Sequence, residues 1–172
     1  MMSFGEAVKT CLSKFFTFKG RARRSEFWWF ILFTLCVSWA FSFAGMVVPF
    51  LSYIGTVITL VLDIPIMAAL TRRLHDTRHS GWWVVILATL YIAVLGMMCY
   101  LIAPYIGQLV ESSSQAELAE ILVNSIQANG SISGAMIGCS WALMIVSIIT
   151  LVFTVRDSQR DTNRYGSSPK YQ

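Results

Sequence analysis

What this chain lacks along most of its length is charge. Residues 27–62, 80–110 and 121–155 contain no Asp, Glu, Lys, Arg or His. Only 13% of the 172 residues are charged, whereas 56% are hydrophobic and the mean hydropathy is +0.63. A soluble domain of this size would have too few polar side chains to cover its surface, so the composition excludes an ordinary water-soluble globule. Cysteine is sparse as well. Cys11, Cys36, Cys99 and Cys139 have neither metal-ligand spacing nor a paired motif, and they read as apolar filler in a reducing or lipid setting. The chain also lacks a nucleophile motif, a metal-ligand set and a glycine-rich phosphate loop, so the expectation is no cofactor and no resident metal, and an enzyme is the less favoured reading.

What is present is apolar sequence in spanning lengths. A helix needs about 20 apolar residues to cross a bilayer. The uncharged runs supply four such segments, 27–48, 50–71, 82–107 and 135–155. The first two share one run, and the break between them rests on Gly45 to Pro49, where Pro49 removes a backbone donor and biases Val48 away from helix. The expected fold is an all-α integral membrane protein: a single-domain four-transmembrane-helix bundle with an N-terminal amphipathic interfacial helix and a short extracytoplasmic helix.

The basic residues set the expected orientation. All thirteen Lys and Arg lie in three clusters, Lys9 to Arg24, Arg72 to Arg78 and Arg156 to Lys170. Four spans with a cytoplasmic N-terminus put residues 1–26, the loop 72–81 and the tail 156–172 inside. The outer loop 108–134 then carries Glu111, Glu117 and Glu120 and no Lys or Arg, as the positive-inside rule requires. The reading is a multi-pass inner (plasma) membrane protein with both termini cytoplasmic. Residues 1–19 have neither a long apolar core nor a small-residue cleavage site, so no cleavable signal peptide is expected.

At the N-terminus, Phe4, Val8, Leu12 and Phe15 recur at helical spacing with Glu6, Lys9, Ser13 and Lys14 off that face. Such a helix either lies along the inner leaflet, its lysines near anionic headgroups, or packs on the end of the bundle. Outside, Ser114 with Glu117 fits a capping box, and Leu118, Ile121, Leu122 and Ile126 continue one apolar face until Asn129-Gly130. Asn129-Gly130-Ser131 also matches a glycosylation sequon, a pattern short enough to arise by chance. Gly134, Gly138 and Ala142 on the last span, and Cys36, Ala40 and Ala44 on the first, form small-residue stripes that permit close helix approach within the chain or in a homo-oligomer.

Within the spans Asp63 is the exception, followed closely by Pro65. An acid near a helix centre costs about 2.5 to 3.5 kcal/mol on insertion scales, so it should face protein or water. It reads either as a proton or cation site or as a structural carboxyl bonded to Tyr91, a Trp N–H or an inner-loop Arg.

The chemistry-bearing residues gather on the inner side. Gly20-Arg21-Ala22-Arg23-Arg24-Ser25-Glu26-Phe27-Trp28-Trp29 leads into the first span, and Arg72-Arg73-Leu74-His75-Asp76 leads through Ser80-Gly81 to Trp82-Trp83. Paired tryptophans favour the headgroup level, and neighbouring arginines can bind phosphate in a bidentate way. Phe18 through Trp29, Arg72-Arg73-Leu74-His75-Asp76-Thr77 with Ser80-Gly81-Trp82-Trp83, and the tail Asp157-Ser158-Gln159 with Asn163-Arg164-Tyr165-Gly166 and Pro169 resemble the three signature segments of the bacterial domain of unknown function 805 family. That resemblance implies a small bacterial inner-membrane protein with a few spans and no established activity. The sequence departs from the family pattern at Arg78-His79, where Gly-Arg is expected, and at Arg160-Asp161, where Pro-Gly is common. The lost glycine puts the usual turn in question, and it places His79 four residues after His75, a spacing that could serve a metal only on a helical face.

Arg23, Arg24, Arg72, Arg73 and His75, balanced by Glu26, Asp76 and Asp157, are expected to form one cytoplasmic-face cluster. It is either a binding site or a salt-bridged lock on the helix ends. The favoured reading is a non-catalytic membrane component that binds lipid or protein. Its partners would be the bilayer, above all anionic phospholipids, and a membrane protein or a second copy. Two alternatives stay open: a small transporter or channel built on Asp63, and an enzyme on phosphorylated headgroups using His75 beside Asp76. Nucleic acid is not an expected partner, because a bilayer satisfies the same basic charges.

Overall fold

A computed structural model describes residues 2–107, 115–158, 161, 165 and 166. The described elements are helices: α1 (Phe4–Ser13), α2 (Arg24–Val47), α3 (Pro49–Asp76), α4 (Trp82–Ile102), α5 (Gln115–Ala128) and α6 (Gly130–Val155), with a short 3-10 turn at Ala103–Tyr105. Four of them, Arg24–Val47, Pro49–Asp76, Trp82–Tyr105 and Gly130–Val155, are long and apolar enough to cross a membrane. Trp39, Met46, Phe50 and Trp141 are among many large apolar side chains left exposed by the protein itself, as expected where lipid supplies the apolar surroundings. The chain divides into two compact units, residues 1–84 with 150–172, and residues 85–149.

In the first unit α2 and α3 form a tight hairpin. Val48 alone separates them, in extended conformation, and its N–H still bonds the Ala44 carbonyl at 2.9 Å. Pro49 opens α3 at a position where a missing N–H costs nothing. The helices approach closely where glycine permits it. A Cβ on Gly45 would sit 2.7 Å from the Cβ of Ser52, and one on Gly55 would sit 2.3 Å from that of Phe41. Beside this crossing, Ser38, Ser42, Ser52, Thr56 and Thr59 line a small cavity with Phe41 and Gly55. The Ser52, Thr56 and Thr59 hydroxyls donate to carbonyls of their own helix, which satisfies them in an apolar surround. Cys36 and Ala40 of the first small-residue stripe are exposed.

Helix α1 starts with a reciprocal cap: the Glu6 N–H donates to Ser3 Oγ, and Glu6 Oε2 accepts from the Ser3 N–H at 2.9 Å. These bonds hold the Glu6 carboxyl below the usual carboxylate range. Ala7 and Cys11 are fully buried, and the Phe4 ring meets Trp29 edge-on at 5.8 Å.

Helix α3 runs unbroken through Pro65 and ends only at Asp76. Arg72 to Asp76, read from sequence as loop, are therefore its last helical turns. The α3–α4 connection shrinks to residues 77–81. Its geometry is a Schellman ending: the His79 N–H bonds the Leu74 carbonyl at 2.9 Å and the Arg78 N–H bonds the His75 carbonyl at 3.3 Å. This places Arg78 in the left-handed region, φ 64°, which an L-residue adopts only at a cost. The turn forms there without glycine, with strain.

In the second unit, α5 turns into α6 through Asn129. Ser133 Oγ donates to the carbonyls of Ile126 and Asn129 at 2.9 and 3.0 Å, and Asn129 Nδ2 bonds the Ser125 carbonyl at 3.1 Å. These bonds satisfy carbonyls that the end of α5 leaves open. Helix α6 begins at Gly130, five residues before the apolar run read as the last span. The capping position expected at Ser114 lies outside the described residues.

Two substitutions test this packing in detergent-solubilised protein by thermal unfolding. Gly55→Ala should lower stability by about 1–3 kcal/mol, the range for overpacking a close contact. Arg78→Gly should raise it by roughly 0.5–1 kcal/mol, because left-handed backbone costs an L-residue about 1–2 kcal/mol and glycine's greater freedom when unfolded returns only part of that.

Candidate functional site

The charged end of the first unit is assembled from five stretches of chain: the exit of α1, the approach to α2, the last turns of α3, the end of α6 and the tail. Asp76 stands in the final turn of α3, where the helix dipole disfavours an acid. Two guanidinium groups compensate. Arg21 Nε donates to Asp76 Oδ1 at 2.7 Å, and Arg73 Nη1 donates to Oδ2. None of the three side chains is more than 1% exposed.

Arg72 and Glu26 form a second buried pair, with Nη2 2.9 Å from Oε1. Arg72 Nη1 also donates to the carbonyls of Lys14 and Thr17 at 3.2 and 2.6 Å, so this arginine closes the end of α1. Arg73 does the same for α6. Its Nε donates to the Thr154 carbonyl at 3.1 Å, Nη2 to the Arg156 carbonyl and Nη1 to Ser158 Oγ at 3.1 Å. Arg21 reaches the tail, donating from Nη1 to the carbonyls of Asp161 and Gly166 at 3.0 and 3.1 Å. Each guanidinium is thus held by one carboxylate and by backbone carbonyls.

The cysteine at the edge of this node is inert. Cys11 Sγ lies 3.8 Å from the Glu26 carbonyl and 3.9 Å from Glu26 Oε1. Burial, reinforced by the Glu26 carboxylate, pushes its thiol up to about 12. The histidines are aromatic packing elements. His75 stacks on Tyr165 with centroids 3.8 Å apart and planes within 6°, and His79 stacks on Phe153 at 3.7 Å and 17°. Burial and the nearby Arg156 charge hold His79 below its usual value, which favours the neutral ring. The left-handed turn at Arg78 ends the helix between the two imidazoles. Among the described residues no set of three His, Cys, Asp or Glu side chains could hold a metal ion.

Of the residues expected to cluster, Glu26, Arg72, Arg73 and Asp76 are brought together and buried. Arg24 and Asp157 lie at the rim as a largely exposed pair with 3.8 Å between Nη2 and Oδ1, worth about 0–1 kcal/mol. Arg24 Nε also bonds the Arg156 carbonyl at 2.8 Å. Arg23 caps the start of α2 with its backbone and makes no ion pair among the described residues. His75 sits beside Asp76 in sequence, yet both Asp76 oxygens face guanidinium groups. Asp63 is half-buried, well inside α3 and away from this end. Sequence reasoning missed Arg21. It stood within the quoted basic run, and only its pairing with Asp76, 55 residues away, distinguishes it from Arg23.

An all-helical, multi-pass membrane protein with a buried ionic node at one end of a helical hairpin is the class these features define. The chain belongs to the DUF805 family of proteins of unknown function, whose model matches residues 15–167. It is 31% identical over 90 residues to inner membrane protein YhaI of Escherichia coli (strain K12), covering 52% of this chain and 76% of that protein. It is likewise 31% identical over 80 residues to inner membrane protein YhaH of the same organism, covering 44% of this chain and 66% of that one. No solved structure matches.

The buried pair makes a direct test. Truncating either partner alone, as Arg72→Met or Glu26→Leu, should cost about 3–5 kcal/mol by leaving a buried charge uncompensated. The double variant should lose clearly less than the sum. Additive losses in thermal unfolding would show that the two side chains are not coupled.

Proposed function

We propose that this protein is a non-catalytic component of the bacterial inner membrane whose charged end faces the cytoplasm and binds anionic phospholipid headgroups. One observation carries the reading: the basic side chains at this end are of two kinds. Arg21, Arg72 and Arg73 are buried and taken up by internal carboxylates and carbonyls. Lys14, Lys19, Arg78 and Arg156, from the same stretches of chain, are exposed, as are Trp28, Trp29 and Trp82. Tryptophan rings at a headgroup layer, with cations next to them, are the chemistry that holds lipid phosphate.

The buried node then serves to shape the face, and the exposed cations and aromatics do the binding. An enzyme using His75 and Asp76 finds less support, because Asp76 is fully buried between two arginines and the His75 ring is covered by Tyr165. With the basic end on the cytoplasmic side, both described chain ends lie inside, in keeping with the positive-inside rule.

Native mass spectrometry of gently extracted protein tests this. Wild type should retain phosphatidylglycerol or cardiolipin. A variant carrying Lys19→Gln, Arg78→Gln and Arg156→Gln, which leaves the buried node intact, should lose most of it, since each cation near an anionic surface contributes about 1 kcal/mol. Equal retention in both would remove the headgroup reading, and a retained protein in place of lipid would replace it with a partner-binding role.

A further inference from the structure

We propose that α1 and the segment that follows it, residues 14–19, form an in-plane membrane anchor, with Leu12, Phe16 and Phe18 at the boundary between headgroups and acyl chains and Glu6 and Ser13 turned to water. The inference deepens the preceding reading and rests on it only for which leaflet is met.

Three observations converge. The first is depth. The Phe4 ring contacts Trp29 at 5.8 Å and Phe33 at 6.4 Å. Both belong to the opening turns of a membrane-crossing helix that starts at Arg24. The start of α1 therefore lies at the level where α2 enters its apolar run. The second is an apolar side with no protein on it. Ala7 and Cys11 face the hairpin and are fully buried, whereas Leu12 is 41% exposed, Phe18 42% and Phe16 73%. At about 100° per residue Leu12 lies to one side of the buried Ala7–Cys11 line, and Glu6 and Ser13 to the other. The helix thus has three faces: one for protein, one apolar and unfilled, and one polar.

The third observation is that the exposed aromatic is held in place. Phe16 lies between Lys14 and Thr17, whose carbonyls both accept from Arg72 Nη1. A flexible loop would fold a phenylalanine away from water, and this one is fixed outward between two bonds to a buried guanidinium. The Phe15 ring supports it at 4.8 Å. Exposed Lys14 and Lys19 flank the aromatic, the arrangement of an amphipathic surface element whose lysines stay at the headgroups while its rings enter. Charge and apolar surface together favour a lipid leaflet over a protein as the occupant.

Site-directed spin labelling in nanodiscs tests the anchor. The background carries Cys36→Ser, Cys99→Ser and Cys139→Ser, and Cys11 stays unlabelled because its thiol is buried and held protonated. Labels introduced by Leu12→Cys, Phe16→Cys and Ser13→Cys are compared for collision with oxygen, which concentrates in acyl chains, and with a water-soluble nickel chelate. Oxygen should dominate at positions 12 and 16 and nickel at position 13, in phosphatidylcholine discs and more strongly with phosphatidylglycerol present. Nickel access at position 16 equal to that at 13 would overturn the anchor, as would a position 16 shielded from both reagents, the mark of a covering protein. Insertion in both lipids without retained anionic lipid in the mass-spectrometric assay would sustain the anchor and remove the headgroup reading, and the converse pattern would separate them the other way.

Discussion

A charge withdrawn from water must be answered where it lies, and the first unit is organised around that requirement. Arg21, Arg72 and Arg73 face Glu26 and Asp76, three positive groups against two negative, which leaves one formal positive charge in the node. Desolvating each ion costs several kcal/mol, more than pairing alone reliably returns. The balance comes from backbone carbonyls. The end of α6, with its partial negative charge, offers Thr154 and Arg156, and the exit from α1 offers Lys14 and Thr17. Two helix ends together act as the missing anion. In return, the arginines satisfy carbonyls that any helix terminus leaves open.

This arrangement separates two tasks that one basic cluster seemed to share. The arginines at the centre of the family-like motif have no surface to offer a ligand, and their chemistry is spent on joining chain segments far apart in sequence. The tail is fastened through Arg21, Ser158 and the His75–Tyr165 stack. On the proposed reading, recognition falls to the exposed cations and aromatics of the same chain segments. A structural core built from charge is unusual in water, but at a membrane surface it has a rationale. Lipid provides no hydrophobic force to drive helices together, so polar contacts and close packing must do so.

The sequence made the spans legible because membrane helices are defined by what they exclude, and three long uncharged runs leave little choice. The break at Pro49 and the end of α5 near Asn129-Gly130 were legible for the same local reason, backbone chemistry that can be read residue by residue. Helix α3 was cut short because Arg72, Arg73 and Asp76 look like solvent-facing loop residues until their partners are known, and Arg21, Glu26 and Thr154 lie 46 to 81 residues away. Arg21 was passed over for that reason. The Ser3–Glu6 cap was a different kind of miss, since its four-residue pattern stood in the sequence and was simply not read. The close helix contact at Gly45 and Gly55 was not legible, because spacing shows where a close approach is allowed but not which partner arrives.

The hairpin shows how these parts depend on one another. Helices α2 and α3 are joined covalently at one end through Val48 and electrostatically at the other through Glu26 and Arg72, with Gly55 against Phe41 between. A helical pair fixed only at its turn would be free to splay in lipid, because its apolar faces gain nothing from leaving the bilayer. Closing the open end makes the pair a loop, and it commits Arg72 to a fixed position from which its second nitrogen can hold Lys14 and Thr17. The orientation of Phe16 thus follows from a bond whose first purpose is to keep two membrane helices together. It also follows that the surface of this protein cannot be altered at Arg72 without opening its core, whereas the exposed cations can be changed with the fold intact.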